Sequence, residues 1–177
     1  MNLVFTGFMS TGKSKTGKII STKLRFNFVD TDVLIEEKFG LSILDIFKNL
    51  GEASFRQLET KVIEEVSKND SIVISCGGGV VLNSENIVFL RKRGIIINLY
   101  ASAEVIYERS KNENNRPLLK CRNPLEEIKR LLNIRESSYN NCDFSFNTDK
   151  LTPTEVVDEI LSNDAVMKIL LYGENKC

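Results

Sequence analysis

With 177 residues, 42% of them hydrophobic, the chain is long enough to bury one sizeable core and needs no second. Lys plus Arg and Asp plus Glu each number 24, and the resulting formal charge of zero argues against broad attraction to nucleic acid or an anionic membrane and favours small-molecule partners. Histidine is absent, which removes the usual imidazole base and every Ser-His or Cys-His nucleophile pair, so carboxylates, arginines, lysine and metal must carry any chemistry.

The first apolar run, residues 3–6, reads as a buried strand and leads directly into Gly7-Phe8-Met9-Ser10-Thr11-Gly12-Lys13-Ser14, a complete GxxxxGK[ST] loop. A helix-like stretch over 13–24 follows. In that setting successive backbone N–H groups curl inward at phosphate oxygens on the positive end of the helix. Lys13 then reaches the β- and γ-phosphates, and Ser14 offers its hydroxyl to Mg²⁺. A second strand, 26–29, runs into Asp30-Thr31-Asp32 and a helix over 32–39. Two carboxylates at this spacing can diverge, one toward a metal's water shell and one toward a substrate hydroxyl. A helix N-cap at Asp32 is the competing account.

Ser42 caps a helix over 43–49, and apolar residues at helical spacing predict another over 53–67. The third strand, 71–75, is followed by Gly77-Gly78-Gly79, a patch of bare backbone that permits close approach by a small ligand or serves as a flexible turn. A helix over 84–93, a strand over 95–100 and a helix over 102–110 come next. Residues 111–123 are rich in Asn, Lys and Arg, lie between two helices and contain Arg116-Pro117-Leu118-Leu119. Such a segment suits a mobile lid that closes over phosphates, or an ordinary solvated loop. A helix over 124–139, a strand over 143–146 and a helix over 153–161 complete the pattern, two of these helices opening on proline. Five short apolar strands alternating with helices predict a parallel sheet covered on both faces, and ligands of such sheets bind beyond the carboxyl ends of the strands.

Cys76, Cys121, Cys142 and Cys177 are scattered without CxxC spacing and read as reduced thiols. The amino-terminal residues lack a signal-peptide pattern, and no apolar run approaches the ~20 residues that span a bilayer. A soluble, cytoplasmic protein, most simply a monomer, is the expectation. Residues 163–177 form an extension whose apolar stretch 167–172 packs on the body or serves as an interaction surface.

Taken together, the phosphate loop, Asp-Thr-Asp, Phe55-Arg56, Gly-Gly-Gly, Arg-Pro-Leu-Leu and a late Arg135 before Tyr139 resemble the shikimate kinase family in order and spacing over nearly the whole chain. The resemblance implies Mg²⁺-dependent transfer of the ATP γ-phosphoryl group to the 3-hydroxyl of shikimate. It also implies a three-layer, nucleoside-monophosphate-kinase-like P-loop fold, with a five-stranded parallel sheet in the order 2-3-1-4-5, over residues 1–162. On the nucleotide side it implies contacts from Gly7, Ser10, Thr11, Gly12, Lys13, Ser14 and Lys15, with Ser14 and Asp30 serving the metal and Arg109 lying near adenine. Ser10 and Lys15 depart from the family's usual residues without removing a required group. On the acceptor side, Asp32 resembles the shikimate-binding aspartate, Arg56 and Arg135 the pair that grips the carboxylate, and Gly77, Gly78 and Gly79 the backbone against the ring. Arg116 resembles the lid arginine that neutralises charge on the transferring group. Lys13, Asp32 and Arg116 are thus the implied catalytic residues. A P-loop kinase of another polyol acid such as gluconate, and a non-catalytic nucleotide-binding module, are the alternatives.

Overall fold

The computed structural model describes residues 1–111 and 123–172. Five parallel strands, β1 (Asn2–Thr6), β2 (Asn27–Asp30), β3 (Ile72–Ser75), β4 (Gly94–Tyr100) and β5 (Phe144–Asn147), lie in the order β2-β3-β1-β4-β5. This is the order that the family resemblance implies. The central strands β1 and β4 are apolar almost without interruption because helices cover both faces of the sheet. Their alternate residues enter different cores. Leu3, Phe5, Ile95 and Ile97 pack with Ile20 of α1 (Lys13–Leu24) and with Val156, Val157 and Ile160 of α7 (Pro153–Ser162). Val4, Ile74 and Ile96 face the opposite layer, where α2 (Thr31–Phe39), α3 (Ile43–Val66), α4 (Ser84–Arg91), α5 (Ala103–Ser110) and α6 (Pro124–Tyr139) contribute Ile35, Ile63, Leu90, Ile106 and Ile128.

The helix boundaries follow local chemistry. Ser42 accepts a hydrogen bond from the Asp45 N–H at the start of α3, and Thr152 with Glu155 forms a reciprocal capping box on α7. The two helices expected at 43–49 and 53–67 run together as α3, broken at Gly51, whose φ of 79° and ψ of 167° are non-helical. The edge strands β2 and β5 each sit one residue later than the sequence pattern suggests, where half-exposed residues blur the apolar signal. Residues beyond α7 form α8 (Asp164–Tyr172), with Val166 fully buried against α7. Among the described residues, no helix is long and apolar enough to cross a membrane. The segment expected to act as a lid lies, apart from Lys111 and Asn123, outside the described residues, and Arg116 with it.

Candidate active site

The carboxyl ends of β1, β2 and β3 open on one cavity of about 460 Å³, lined by the phosphate loop, both aspartates of the Asp30–Asp32 pair, Ser75 and Gly78. Its floor is the turn that leaves β1. At Gly7 the backbone has φ 138°, and an added Cβ would stand 2.1 Å from the carbonyl oxygen of Leu99 on the neighbouring strand β4. Only glycine fits this conformation and this close approach together. The Phe8 carbonyl then accepts two hydrogen bonds, from Thr11 Oγ1 at 2.9 Å and from Lys13 Nζ at 2.7 Å. Ser10 holds a left-handed φ of 59°. α1 starts at Lys13 with no side-chain cap, and a helix N-terminus in this position carries the partial positive charge that suits an anionic ligand.

Asp30 is held at both carboxylate oxygens. Oδ2 accepts from Ser14 Oγ at 2.6 Å, and Oδ1 accepts from the Asp32 N–H at 3.1 Å, which caps α2. The cap is therefore Asp30, and the capping account of Asp32 gives way. A hydroxyl and a carboxylate this close form a hard-oxygen pair suited to Mg²⁺, which completes its shell with phosphates and water. Among the described residues, no group of three or more His, Cys, Asp or Glu side chains is placed to hold a metal ion.

On the other side of the cavity, Gly77 and Gly79 are pressed against side chains. A Cβ on Gly77 would fall 2.4 Å from Asp32 Oδ1, and one on Gly79 would fall 2.2 Å from Arg56 Nη1. Gly78 faces the phosphate loop, within 3.5 Å of the Met9 nitrogen by the same construction. The flexible-turn account fails here, because this backbone is fixed on both sides: the Gly77 N–H donates to Thr31 Oγ1 at 3.0 Å and the Gly78 carbonyl accepts from Tyr139 at 2.6 Å. Arg135, 8% exposed, lies with its guanidinium 5.9 Å from the Phe8 ring centre. Burial pushes the Tyr139 phenol up to about 12, against the opposing pull of the nearby Arg135 and Arg56 charges. The charges of both arginines, one from α3 and one from α6, thus act on one tyrosine.

Arg56 donates to Glu59 at 2.8 Å and to Glu52 at 3.1 Å. Glu59 is 1% exposed, and burial pushes its carboxyl up from 4.5 to about 7 despite the Arg56 charge. A carboxyl whose folded pKa is raised binds its proton more tightly folded than unfolded, so its contribution to stability is present at low pH and is lost as pH rises from about 4.5 to about 7. Glu59→Gln should remove that slope. The stability of the variant relative to the parent should rise by on the order of 2 kcal/mol between pH 5 and pH 8, read from urea midpoints. A difference independent of pH would show that Glu59 titrates normally.

The far end of the cavity is apolar. Arg109 donates from Nη1 to Thr148 Oγ1 at 3.0 Å and makes a short contact from Nη2 to the Thr148 carbonyl, and Leu151, Pro153 and Val156 line the same cavity. A flat cation and an apolar wall suit the two faces of a purine. Lys15 also lines the cavity. Of the residues named from sequence, Ser10, Thr11, Gly12, Lys13, Ser14, Lys15, Asp30, Asp32, Gly78 and Arg109 line this cavity, Gly7, Arg56, Gly77, Gly79 and Arg135 stand outside its lining, and Arg116 lies outside the described residues. Those that sequence reasoning missed are Glu59, Ser75, Thr148 and Tyr139. Thr148 directly follows β5, so the strand-end rule would have found it. Glu59 stands one helical turn after Arg56 on an otherwise apolar face. Cys76 and Cys142 are free thiols, and Cys121 and Cys177 lie outside the described residues.

A family model described as Shikimate kinase matches residues 9–165. A shikimate kinase from Caldicellulosiruptor bescii is 52% identical over 161 residues, which cover 91% of this chain and 94% of the relative. The solved shikimate kinase from Acinetobacter baumannii, in complex with shikimate, is 32% identical with a TM-score of 0.88, over 99% of this chain and 95% of that one. The crystal structure of shikimate kinase from Aquifex aeolicus is 37% identical with a TM-score of 0.78, over 91% and 94%. The chain belongs to the shikimate kinase family, P-loop kinases that phosphorylate a hydroxyl of shikimate.

Proposed function

We propose that the phosphoryl donor is Mg²⁺·ATP, that the acceptor is the 3-hydroxyl of shikimate, and that the cavity residues divide the work as follows. Lys13 and the loop N–H groups hold the β- and γ-phosphates. Ser14 binds the metal directly while Asp30 orients its water shell, and the bound ion neutralises charge shared by those phosphates. Asp32 fixes the acceptor hydroxyl in line with the γ-phosphorus, and it can accept the proton as the new bond forms. Positioning is the larger contribution, because phosphoryl transfer needs little base strength. Arg56 and Arg135 grip the shikimate carboxylate, a task that suits a planar bidentate fork. Gly77, Gly78 and Gly79 admit the ring, Arg109 stacks on adenine, and Arg116 neutralises the transferring group.

The observation that carries this reading is the Gly77–Gly79 backbone. It rests on the phosphate loop on one side and on Asp32 and Arg56 on the other, so donor and acceptor sites share one wall. The product, shikimate 3-phosphate, belongs to aromatic amino-acid biosynthesis, and a cytoplasmic monomer fits that setting. We also assign the kinase unit to residues 1–162, with α8 as an addition packed on it.

Arg56→Ala tests the acceptor half. The KM for shikimate should rise about 50-fold, since a charge-assisted carboxylate contact is lost, while the KM for ATP stays within about twofold. Equal losses in both would remove Arg56 from the acceptor pocket.

A further inference from the structure

We propose that Ser75 is a positioning residue for the metal site: its hydroxyl aims Ser14 so that one lone pair of the Ser14 oxygen is left for the cation. This rests on the metal-assisted reading above and goes beyond it. Ser75 is the last residue of β3 and the register partner of Asp30 on β2, so the parallel ladder sets the two side by side at the carboxyl edge of the sheet. It is 1% exposed, and its hydroxyl lies 3.2 Å from Ser14 Oγ. The direction of that bond follows from proton counting. A serine hydroxyl has one hydrogen and two lone pairs. Ser14 spends its hydrogen on Asp30 Oδ2 at 2.6 Å, so it is the Ser75 hydroxyl that donates to Ser14. One lone pair of Ser14 is thereby filled and its rotation is fixed by two bonds. Ser14 lines the cavity with the phosphate loop, so the remaining lone pair is the one available to a cation there. Without Ser75 the hydroxyl would keep its tie to Asp30 but turn about it, and the cation would bear the cost of ordering it.

The test uses Mn²⁺ as the probe, with its free concentration read by electron paramagnetic resonance while it is titrated into the full chain saturated with ADP. Ser75→Ala should weaken Mn²⁺ about fivefold, the worth of one neutral hydrogen bond, while the affinity for ADP without metal stays within about twofold of the parent. Unchanged Mn²⁺ affinity in the variant, with the parent binding the ion normally, would overturn the role of Ser75 alone. So would an equal loss of metal-free ADP affinity, which would mark a distorted loop. A parent that binds no Mn²⁺ with ADP would overturn the metal-assisted reading itself.

Discussion

Lys13→Ala is expected to lower kcat/KM by about three orders of magnitude, the scale of losing a preorganised charge aimed at a developing anion. Lys13 is 8% exposed and its ammonium is tied to the Phe8 carbonyl at 2.7 Å, so the loop holds the charge in place before any nucleotide arrives. Little reorganisation is then required at the moment of transfer. Because the side chain is largely buried, such a charge acts on the β- and γ-phosphates through a lower effective dielectric than a surface lysine would. Steady-state kinetics with saturating shikimate measure the loss. A variant that kept more than about a tenth of the parent's kcat/KM, less than 1.4 kcal/mol of barrier, would remove Lys13 from the phosphate site.

The second large effect is on folding. Gly7→Ala places a methyl group 2.1 Å from the Leu99 carbonyl oxygen, at a backbone φ of 138° that side chains rarely adopt. Neither neighbour can yield easily, because Leu99 lies in β4 and Gly7 directly follows β1, and these are adjacent strands of the sheet. Backbone strain and a core clash together should cost about 3 kcal/mol or more. For a domain of this size that corresponds to a Tm lower by about 6 °C or more. Calorimetry with and without nucleotide checks this, and a melting temperature within about 2 °C of the parent would show that the turn relaxes freely.

The central strands and the phosphate loop were legible because their signals are local: an unbroken apolar run for a doubly covered strand, and a fixed motif between strand and helix. The sheet order came from the family resemblance, since apolar patterning does not say which strands are neighbours. The break at Gly51 was legible too, because a glycine between two periodic stretches reads as a stop, and its backbone is non-helical there. By contrast, Asp30 and Asp32 offer the same carboxylate at the same turn, and only the backbone geometry decides which one caps α2. Glu59 escaped notice because its importance lies in burial beside Arg56, a property set by how α3 packs against the glycine wall. The partnership of Ser75 with Ser14 spans 61 residues and depends on register, which composition does not encode.

The central claim, that one pocket joins ATP to shikimate, is tested most directly by ADP release from the purified protein with ATP and Mg²⁺. Shikimate, quinate, gluconate and no acceptor are compared, and the phosphorylated product is identified by mass spectrometry. The account predicts release that depends on shikimate, with one phosphoryl group on its 3-hydroxyl. Release driven by gluconate instead, or tight ATP binding that no acceptor converts into turnover, would contradict it.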